Sequence, residues 1–418
     1  MTSSPTDGLL IAIGRFCYGY PFVSALYWIA GGLLFYLAGE RGRPPQDQPP
    51  RLDRPPPISL LAPCFDEAQT AEETLRAAAA SDYPDFEIIA INDGSRDATG
   101  QVLDKLAQEI PRLRVVHLAA NQGKATALNI GALMARHELL VCIDGDALLD
   151  PHALHWIARA FRRANVGGLA GHPLIRNRTT LLGRLQVGEF ASVVGLIRRA
   201  QAIYGRMFTA SGVICAFRKR ALEDAGWWSP QAMTEDIDVT WRMQLSGWRM
   251  VFEPNAVVWI LMPETLRGLW TQRLRWAQGG VQMMLQFFGP MNTGRKRSLL
   301  PIYINYGVSV IWANLVMVSL MFWAWSIVSP FAVGPSTRLI PDWWALTLTL
   351  TYIAQALVSG LLETRYERGV LASLFWTIWY PVAFWMISAL TTVVALPVVL
   401  LRPKTLRATW VSPDRGFR

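Results

Sequence analysis

Four stretches of this chain carry no charged residue and are long enough to cross a lipid bilayer: Phe16–Gly39, Ile302–Ser329, Trp343–Leu362 and Val370–Leu401. A span needs about 20 consecutive apolar residues, and a buried core helix is usually shorter. Tyr18, Tyr20, Tyr303, Tyr306, Trp343 and Trp344 crowd the ends of these stretches, as interfacial aromatic belts do. The chain is nevertheless only 52% hydrophobic and 17% charged. That is too polar for a protein embedded throughout and too apolar for an ordinary soluble one, so membrane helices and a soluble core must share it.

The Lys/Arg bias orients the chain. Arg41 and Arg43 follow the first stretch, and Arg295, Lys296 and Arg297 precede the second, so the intervening domain is expected on the cytoplasmic side. The short loop from Pro330 to Asp342 holds one basic residue, Arg338, and suits the far side. The last stretch, 32 residues with Pro381 inside it, is long for one span and short for two. Its tail carries Arg402, Lys404, Arg407, Arg415 and Arg418, which favours the cytoplasm. Three simple spans after a cytoplasmic domain would leave that tail outside, and the sequence decides neither way. The N-terminus has no charged n-region and no small-residue cleavage site, so no removable signal peptide is expected. The expected organisation is a membrane segment at 1–39, a linker at 40–57, a soluble domain at 58–289, a second membrane region with an interfacial segment at 290–401, and a basic tail at 402–418.

Seven prolines make the linker extended and semi-rigid. Strand-like runs follow at Ile58–Ala62, Phe86–Ile91, Leu113–Leu118 and Glu138–Ile143. Helical segments separate them. One opens with the capping box Thr70-Ala71-Glu72-Glu73. Another starts after Gly123-Lys124 and repeats Ala125, Leu128, Ala132 and Leu133 at helical spacing. This alternation predicts an α/β domain, a parallel sheet with helices on both faces. Cys17, Cys64, Cys142 and Cys215 show no metal-ligand spacing and read as buried thiols in a reducing compartment. The net charge of +9 suits anionic lipid headgroups or a nucleotide diphosphate. No nucleic-acid-binding module pattern is present.

In an open parallel sheet, ligands sit at the carboxyl ends of the strands. Two acidic clusters fall there: Asn92-Asp93-Gly94-Ser95 and Asp144-Gly145-Asp146. Such carboxylates bind a nucleobase or ribose, or hold a divalent cation that takes its other oxygens from phosphate and water. A solvated strand-end turn has the same composition, so Asp-x-Asp alone does not decide. Asn121-Gln122-Gly123-Lys124 opens a helix whose first N–H groups, with Lys124, suit a phosphate. In Thr234-Glu235-Asp236, Asp236 is a candidate base for an acceptor hydroxyl; the triplet equally N-caps a helix over Ile237–Ser246. Gln272-Arg273-Leu274-Arg275-Trp276 lies in a stretch with Leu266, Leu269 and Trp270 that suits a membrane surface. Arg275 can pair with phosphate oxygens, and Trp276 offers a sugar ring a flat apolar face. Plain membrane anchoring would use the same residues.

Taken in order, these five motifs resemble those of the processive family-two glycosyltransferases, the synthases of cellulose, hyaluronan, chitin oligomers and poly-β-1,6-N-acetylglucosamine. The resemblance implies a GT-A fold, a UDP-sugar donor, Mg²⁺ or Mn²⁺, and inversion at the anomeric carbon. By resemblance, Asp93 contacts the uracil, Lys124 lies by the phosphates, and Asp144 and Asp146 serve diphosphate and metal. Asp236, with Glu235 beside it, is the base. Gln272, Arg275 and Trp276 close over donor and acceptor, and Ser211-Gly212 with the strand to Arg218 lines the acceptor site. One departure is visible: Pro63-Cys64-Phe65-Asp66-Glu67 has Asp66 where the family usually has Asn. The local turn is expected to survive that change.

Among the subfamilies the chain is most similar to the poly-β-1,6-N-acetylglucosamine synthases. Its length, its single N-terminal span, and the forms Met233-Thr234-Glu235-Asp236-Ile237-Asp238 and Gln272 through Gly279 carry that likeness. This implies a multi-pass protein of the cytoplasmic (inner) membrane, a growing polysaccharide that crosses the bilayer, and a small membrane-bound accessory subunit. Some such synthases respond to cyclic di-GMP; with no regulatory domain of its own, this chain is expected to need the second subunit for any such response. Cellulose-like or hyaluronan-like products and transfer of one sugar to a lipid carrier stay open. A scaffold or transporter would have no use for Asp-x-Asp at a sheet edge. Within the spans, Asn305, Ser309, Asn314, Ser319 and Gln355 either line an export path or bond between helices.

Overall fold

A computed structural model describes residues 5–288, 296–328, 342–377, 380–403 and 406–408. Arg295, Arg338, Lys404, Arg415 and Arg418, on which part of the orientation argument rests, lie outside them, as do the side chains of Trp343 and Trp344.

The domain begins as the apolar runs dictate. Strands β1 (Ile58–Cys64), β2 (Phe86–Asn92), β3 (Leu113–His117) and β4 (Leu139–Ile143) alternate with helices α2 (Ala71–Ala79), α3 (Thr99–Glu109) and α4 (Lys124–Met134), after a first helix α1 (Pro5–Phe35). Every residue of β1, β2 and β4 is buried, as expected of central strands covered on both faces. The alternation of side chains sorts them into two cores: Leu60, Ile88 and Val141 on one face, Leu61, Ile89 and Cys142 on the other. β1 pairs in parallel with both β2 and β4. The chain thus runs outward from β1 to β3, then returns to its other side with β4. That reversal makes the β1/β4 edge the switch point where a ligand crevice opens.

Beyond β4 the sheet is not parallel. The chain adds β5 (Leu148–Leu149), α5 (Ala153–Ala160), β6 (Val166–Ile175), α6 (Leu181–Glu189), α7 (Leu196–Tyr204), β7 (Ile214–Arg218), α8 (Lys219–Ala225), α9 (Glu235–Leu245) and β8 (Arg249–Ile260). The strand order is β3-β2-β1-β4-β7-β6-β8-β5. β7 runs antiparallel to both β4 and β6, while β6 and β8 are parallel. The result is a mixed sheet with helices on both faces. The linker is a pinned strap rather than a free spacer. Trp156 Nε1 donates to the Gln46 carbonyl at 2.8 Å, Tyr83 hydroxyl to that of Pro56 at 2.6 Å, and Arg43 pairs with Glu253 at 2.5 Å.

Among the described residues, three helices are long and apolar enough to cross a membrane, over Ile11–Glu40, Arg297–Trp325 and Leu346–Glu363. They belong to α1, whose last turn continues as a π-helix over Tyr36–Glu40, and to α11 (Leu300–Val328) and α12 (Asp342–Glu363), which follow the amphipathic α10 (Leu266–Phe287). The last apolar stretch divides. A 3-10 turn at Val370–Ser373 and the short α13 (Leu374–Thr377) precede α14 (Tyr380–Leu401). Pro381 sits in the first turn of α14, where a missing N–H costs nothing. Trp376 lies under Arg184 of α6, its ring 5.3 Å from the guanidinium. At the other end Val399 packs with Val281 of α10, and Ala408 N–H reaches the Pro230 carbonyl at 2.9 Å. Both ends of the stretch therefore meet the soluble domain, and residues 406–408 lie on its surface.

One expectation for span residues changes. Tyr306 stacks on Phe208 at 5.1 Å, and Tyr303 meets Trp241 edge-on at 6.3 Å. These rings fasten α11 to the domain instead of forming a belt. Ser309, Asn314 and Ser319 bond back to carbonyls of their own helix at 2.7–2.9 Å. That satisfies the side chain locally, and Ser309 and Ser319 also hydrogen-bond the side chains of Tyr20 and Cys17 in α1, so these two join neighbouring helices, one of the two readings expected.

Candidate active site

The ends of β1, β2 and β4 bring three loops together. After β1 the backbone turns through Asp66 with φ +55°, a left-handed geometry that Asp tolerates as Asn does. Its N–H donates to Ser95 Oγ at 3.0 Å, and its carboxylate accepts from Arg96 N–H at 2.8 Å. The turn thus forms with the charged residue. Thr70 does not cap α2 through its side chain; its hydroxyl donates to the buried Glu67 carboxylate at 2.7 Å.

Asp93 is fully buried, and its two oxygens accept the N–H groups of Gln122 and Gly123 at 2.8 and 2.9 Å. Burial pushes its pKa up against the pull of these two amides. Its role in this structure is to hold the loop that opens α4. Gly123, at φ +87°, gives that loop a turn closed to other residues. A Cβ there would also lie 2.3 Å from the Ala408 carbonyl of the tail.

Lys124, the first residue of α4, reaches across the crevice. Its ammonium bonds to Asp144, donates to the Gly212 carbonyl at 3.2 Å and stands 3.5 Å from Glu235. Burial works to lower its pKa, but Asp144, Glu235 and Asp236 outweigh this and hold it above the ordinary lysine value. Glu235 is pushed up by burial, with Lys124 pulling it back, Asp236 adding to the rise and Arg275 opposing it. Residues more than a hundred positions apart are thereby joined into one charged site.

Asp236 lies in the first turn of α9 and is half-buried. Thr209 hydroxyl and Gly212 N–H both donate to its Oδ2, at 2.9 and 3.0 Å. Oδ1 takes no hydrogen bond among the described residues. One oxygen is therefore fixed and the other is left uncommitted. Ser211, at φ +66°, makes the turn that aims these donors, its N–H bonding to Thr209 Oγ1 at 3.0 Å. Beneath them Arg198 is buried, donating to the Gly171 carbonyl at 2.9 Å. Burial lowers its pKa to about 10, and Asp236 pulls it back up. Neither Thr209 nor Arg198 has a sequence signal; each is recognisable only by where the chain places it.

Helix α10 covers the site. It passes Thr234 so closely that a Cβ on Gly279 would fall 2.1 Å from Thr234 Oγ1, and one on Gly280 would fall 2.0 Å from the Tyr306 hydroxyl. The paired glycines in an amphipathic helix were the legible sign of this approach. Arg273 points inward to Glu189 at 2.7 Å, and its guanidinium lies 4.4 Å from the Trp276 ring centre. Burial raises Glu189 to about 7, with Arg273 opposing. Gln272 is half-buried with its Oε1 unpaired, Trp276 is half-buried against the core, and Arg275 is exposed. Asp144 and Asp146 flank Gly145 at the end of β4, Asp146 being buried. No group of three or more His, Cys, Asp or Glu side chains able to hold an ion gathers among the described residues. Two carboxylates alone fit a hard cation that draws its remaining oxygens from a diphosphate and water, and do not fit a closed zinc site. The four cysteines are buried thiols outside any disulfide, as expected.

The sequence pattern of the family described as "Glycosyltransferase like family 2" matches residues 55–279, more than half the chain. The poly-β-1,6-N-acetyl-D-glucosamine synthase of Staphylococcus epidermidis RP62A is 35% identical over 403 residues, covering 95% of this chain and 97% of that one. The enzyme of the same name from Staphylococcus aureus COL is 37% identical over 404 residues with the same coverage. Among solved structures, the mannosyltransferase PcManGT from Pyrobaculum calidifontis, in complex with GDP-Man and Mn²⁺, superposes with a TM-score of 0.60. It is 20% identical, and the match covers 93% of this chain and 99% of that one, a likeness of fold. The chain is therefore a membrane-helix-bearing GT-A glycosyltransferase of family 2, and it belongs to the poly-β-1,6-N-acetyl-D-glucosamine synthase family.

Proposed function

We propose that this enzyme polymerises N-acetylglucosamine from UDP-GlcNAc into an exported β-1,6-linked polysaccharide of the biofilm type, processively and with inversion. The reading is carried by the meeting of Lys124, Asp144, Glu235 and Asp236 at the strand ends, in a chain whose relatives bear that activity in their names. Asp236 Oδ1 takes the proton of the acceptor's 6-hydroxyl as its oxygen attacks the anomeric carbon. The bond from that carbon to the diphosphate breaks, and its electron pair leaves with UDP. Asp93 acts on the donor through the loop it holds. Lys124 and Arg275 offset the charge of the leaving diphosphate, and Glu235 keeps Lys124 in place. Asp144 and Asp146 would hold Mg²⁺ or Mn²⁺, which would supply further positive charge there. Ser211 and Gly212 border the acceptor, Gln272 faces the donor, and Trp276 offers the terminal sugar a platform.

The enzyme works as a multi-pass protein of the inner membrane with its catalytic domain (58–289) cytoplasmic, and any cyclic di-GMP response enters through a small accessory subunit. To test the function, purified membranes are incubated with radiolabelled UDP-GlcNAc, UDP-glucose or UDP-glucuronate and the products sized. A polymer from UDP-GlcNAc alone is expected; a polymer from another donor, or a single sugar on lipid, would overturn the reading. In the same assay, chelator should stop synthesis, and Mg²⁺ or Mn²⁺ should restore it. Full activity in excess chelator would remove the metal role from Asp144 and Asp146. Trp276→Ala should cut polymer formation severely while UDP-GlcNAc hydrolysis by water persists. Polymer of normal length at a normal rate would place the platform elsewhere.

A further inference from the structure

Four ionisable side chains meet in the interior where the membrane helices join the domain, away from the catalytic groups. Glu40 ends the π-turn after α1, His172 lies in β6, Arg199 in α7, and Glu363 ends α12. Their exposures are 0, 2, 0 and 1%. Arg199 donates from Nε and Nη2 to the two oxygens of Glu40, both at 2.8 Å, and from Nη1 to Glu363. His172 sets Nε2 at 2.9 Å from Glu363 Oε2 and Nδ1 at 3.0 Å from the Pro254 carbonyl oxygen. Both ring nitrogens face oxygen atoms. Tyr366 adds its hydroxyl to Glu40 at 2.7 Å, and Gly195 leaves room for Glu363, since a Cβ there would lie 2.5 Å from its Oε1.

A buried ionic network is a poor source of stability, because apolar residues of similar volume often do as well or better. What it imposes is one arrangement, since displacing any member leaves a buried charge unpaired. Here the members come from two membrane helices and two elements of the catalytic domain. Helix α7 leads directly into the loop whose Thr209 and Gly212 grip Asp236. Arg198, beside Arg199, is buried where its charge interacts with that of Asp236. We propose that Arg199 is a positioning residue for Asp236, locked by Glu40 and Glu363 so that the placement of α1 and α12 sets the placement of the base. This rests on the reading of Asp236 as the base.

The test uses the full chain in lipid nanodiscs. Calorimetric UDP binding counts competent sites, and rates of polymer synthesis across donor concentrations are divided by that count. Glu363→Gln is expected to lower kcat by about tenfold or more, as small misplacements of reacting groups do. UDP affinity and the donor KM should stay near their original values. Glu363→Asp, which keeps the charge, should recover part of the rate. The triple variant Glu40→Gln/Arg199→Met/Glu363→Gln leaves no unpaired buried carboxylate or guanidinium, and should bind UDP yet still turn over slowly. Unchanged kcat per UDP site in the triple variant would overturn the proposal. Loss of UDP binding in both Glu363→Gln and the triple variant would overturn it too, because the network would then be a requirement for folding. Asp236→Asn, assayed alongside, reads the base assignment separately: if it stays active, the base reading fails whatever the network does.

Discussion

Asp236→Asn is expected to lower polymer synthesis by roughly 100- to 10,000-fold, the range that a positioned general base contributes, while UDP binding stays near normal. The substitution removes the basic oxygen and little else. An asparagine carbonyl can still accept the Thr209 hydroxyl and the Gly212 N–H, which both meet Oδ2 at about 3 Å in the parent. The loop should therefore hold its shape, and Lys124 retains Asp144 and Glu235 as partners. Measuring kcat per UDP-binding site separates loss of chemistry from loss of fold. Turnover close to that of the parent would take Asp236 out of the base role, and Glu235, the only other carboxylate of the triplet, would have to be tried in its place.

The second large effect is expected from a single methyl group. Gly279→Ala puts a Cβ within 2.1 Å of Thr234 Oγ1, 2.3 Å of its Cγ2 and 2.7 Å of its Cβ. A rotamer change relieves the first two contacts but not the third, so the backbone at Thr234 or helix α10 must move. Overpacking of this kind costs roughly 1–3 kcal/mol. Thr234 is the N-cap of α9, two residues before Asp236, so the displacement passes to the base. The expected outcome is a fall in kcat of about tenfold or more, by the same sensitivity to misplacement, with a smaller change in UDP affinity. Parent-like kcat in a folded Gly279→Ala variant would show that the helix does not press on the triplet in the working enzyme.

What was legible in the sequence is what local chemistry dictates. Charge-free runs longer than a bilayer needs become helices wherever they occur, and α1, α11 and α12 follow from length and composition. The first four strands are apolar runs bounded by turn residues, and they appear within two residues of the expected limits. The acidic motifs fall at strand ends because the alternation of strand and helix puts loops there. Tertiary structure decided the rest, because each remaining feature depends on which distant residue arrives opposite. The capping box at Thr70 was sound as a local pattern, but a buried Glu67 needed the hydroxyl more than the helix did. Tyr303 and Tyr306 had the spacing of a lipid belt and were taken by Phe208 and Trp241. The sheet turns antiparallel at β7 because that strand enters between β4 and β6 from the opposite end. Arg199 finds Glu40 and Glu363 across separations of 159 and 164 residues. Their charges are ordinary in the sequence, and only closure of the fold, which strips them of water and leaves them one another as partners, gives them a role.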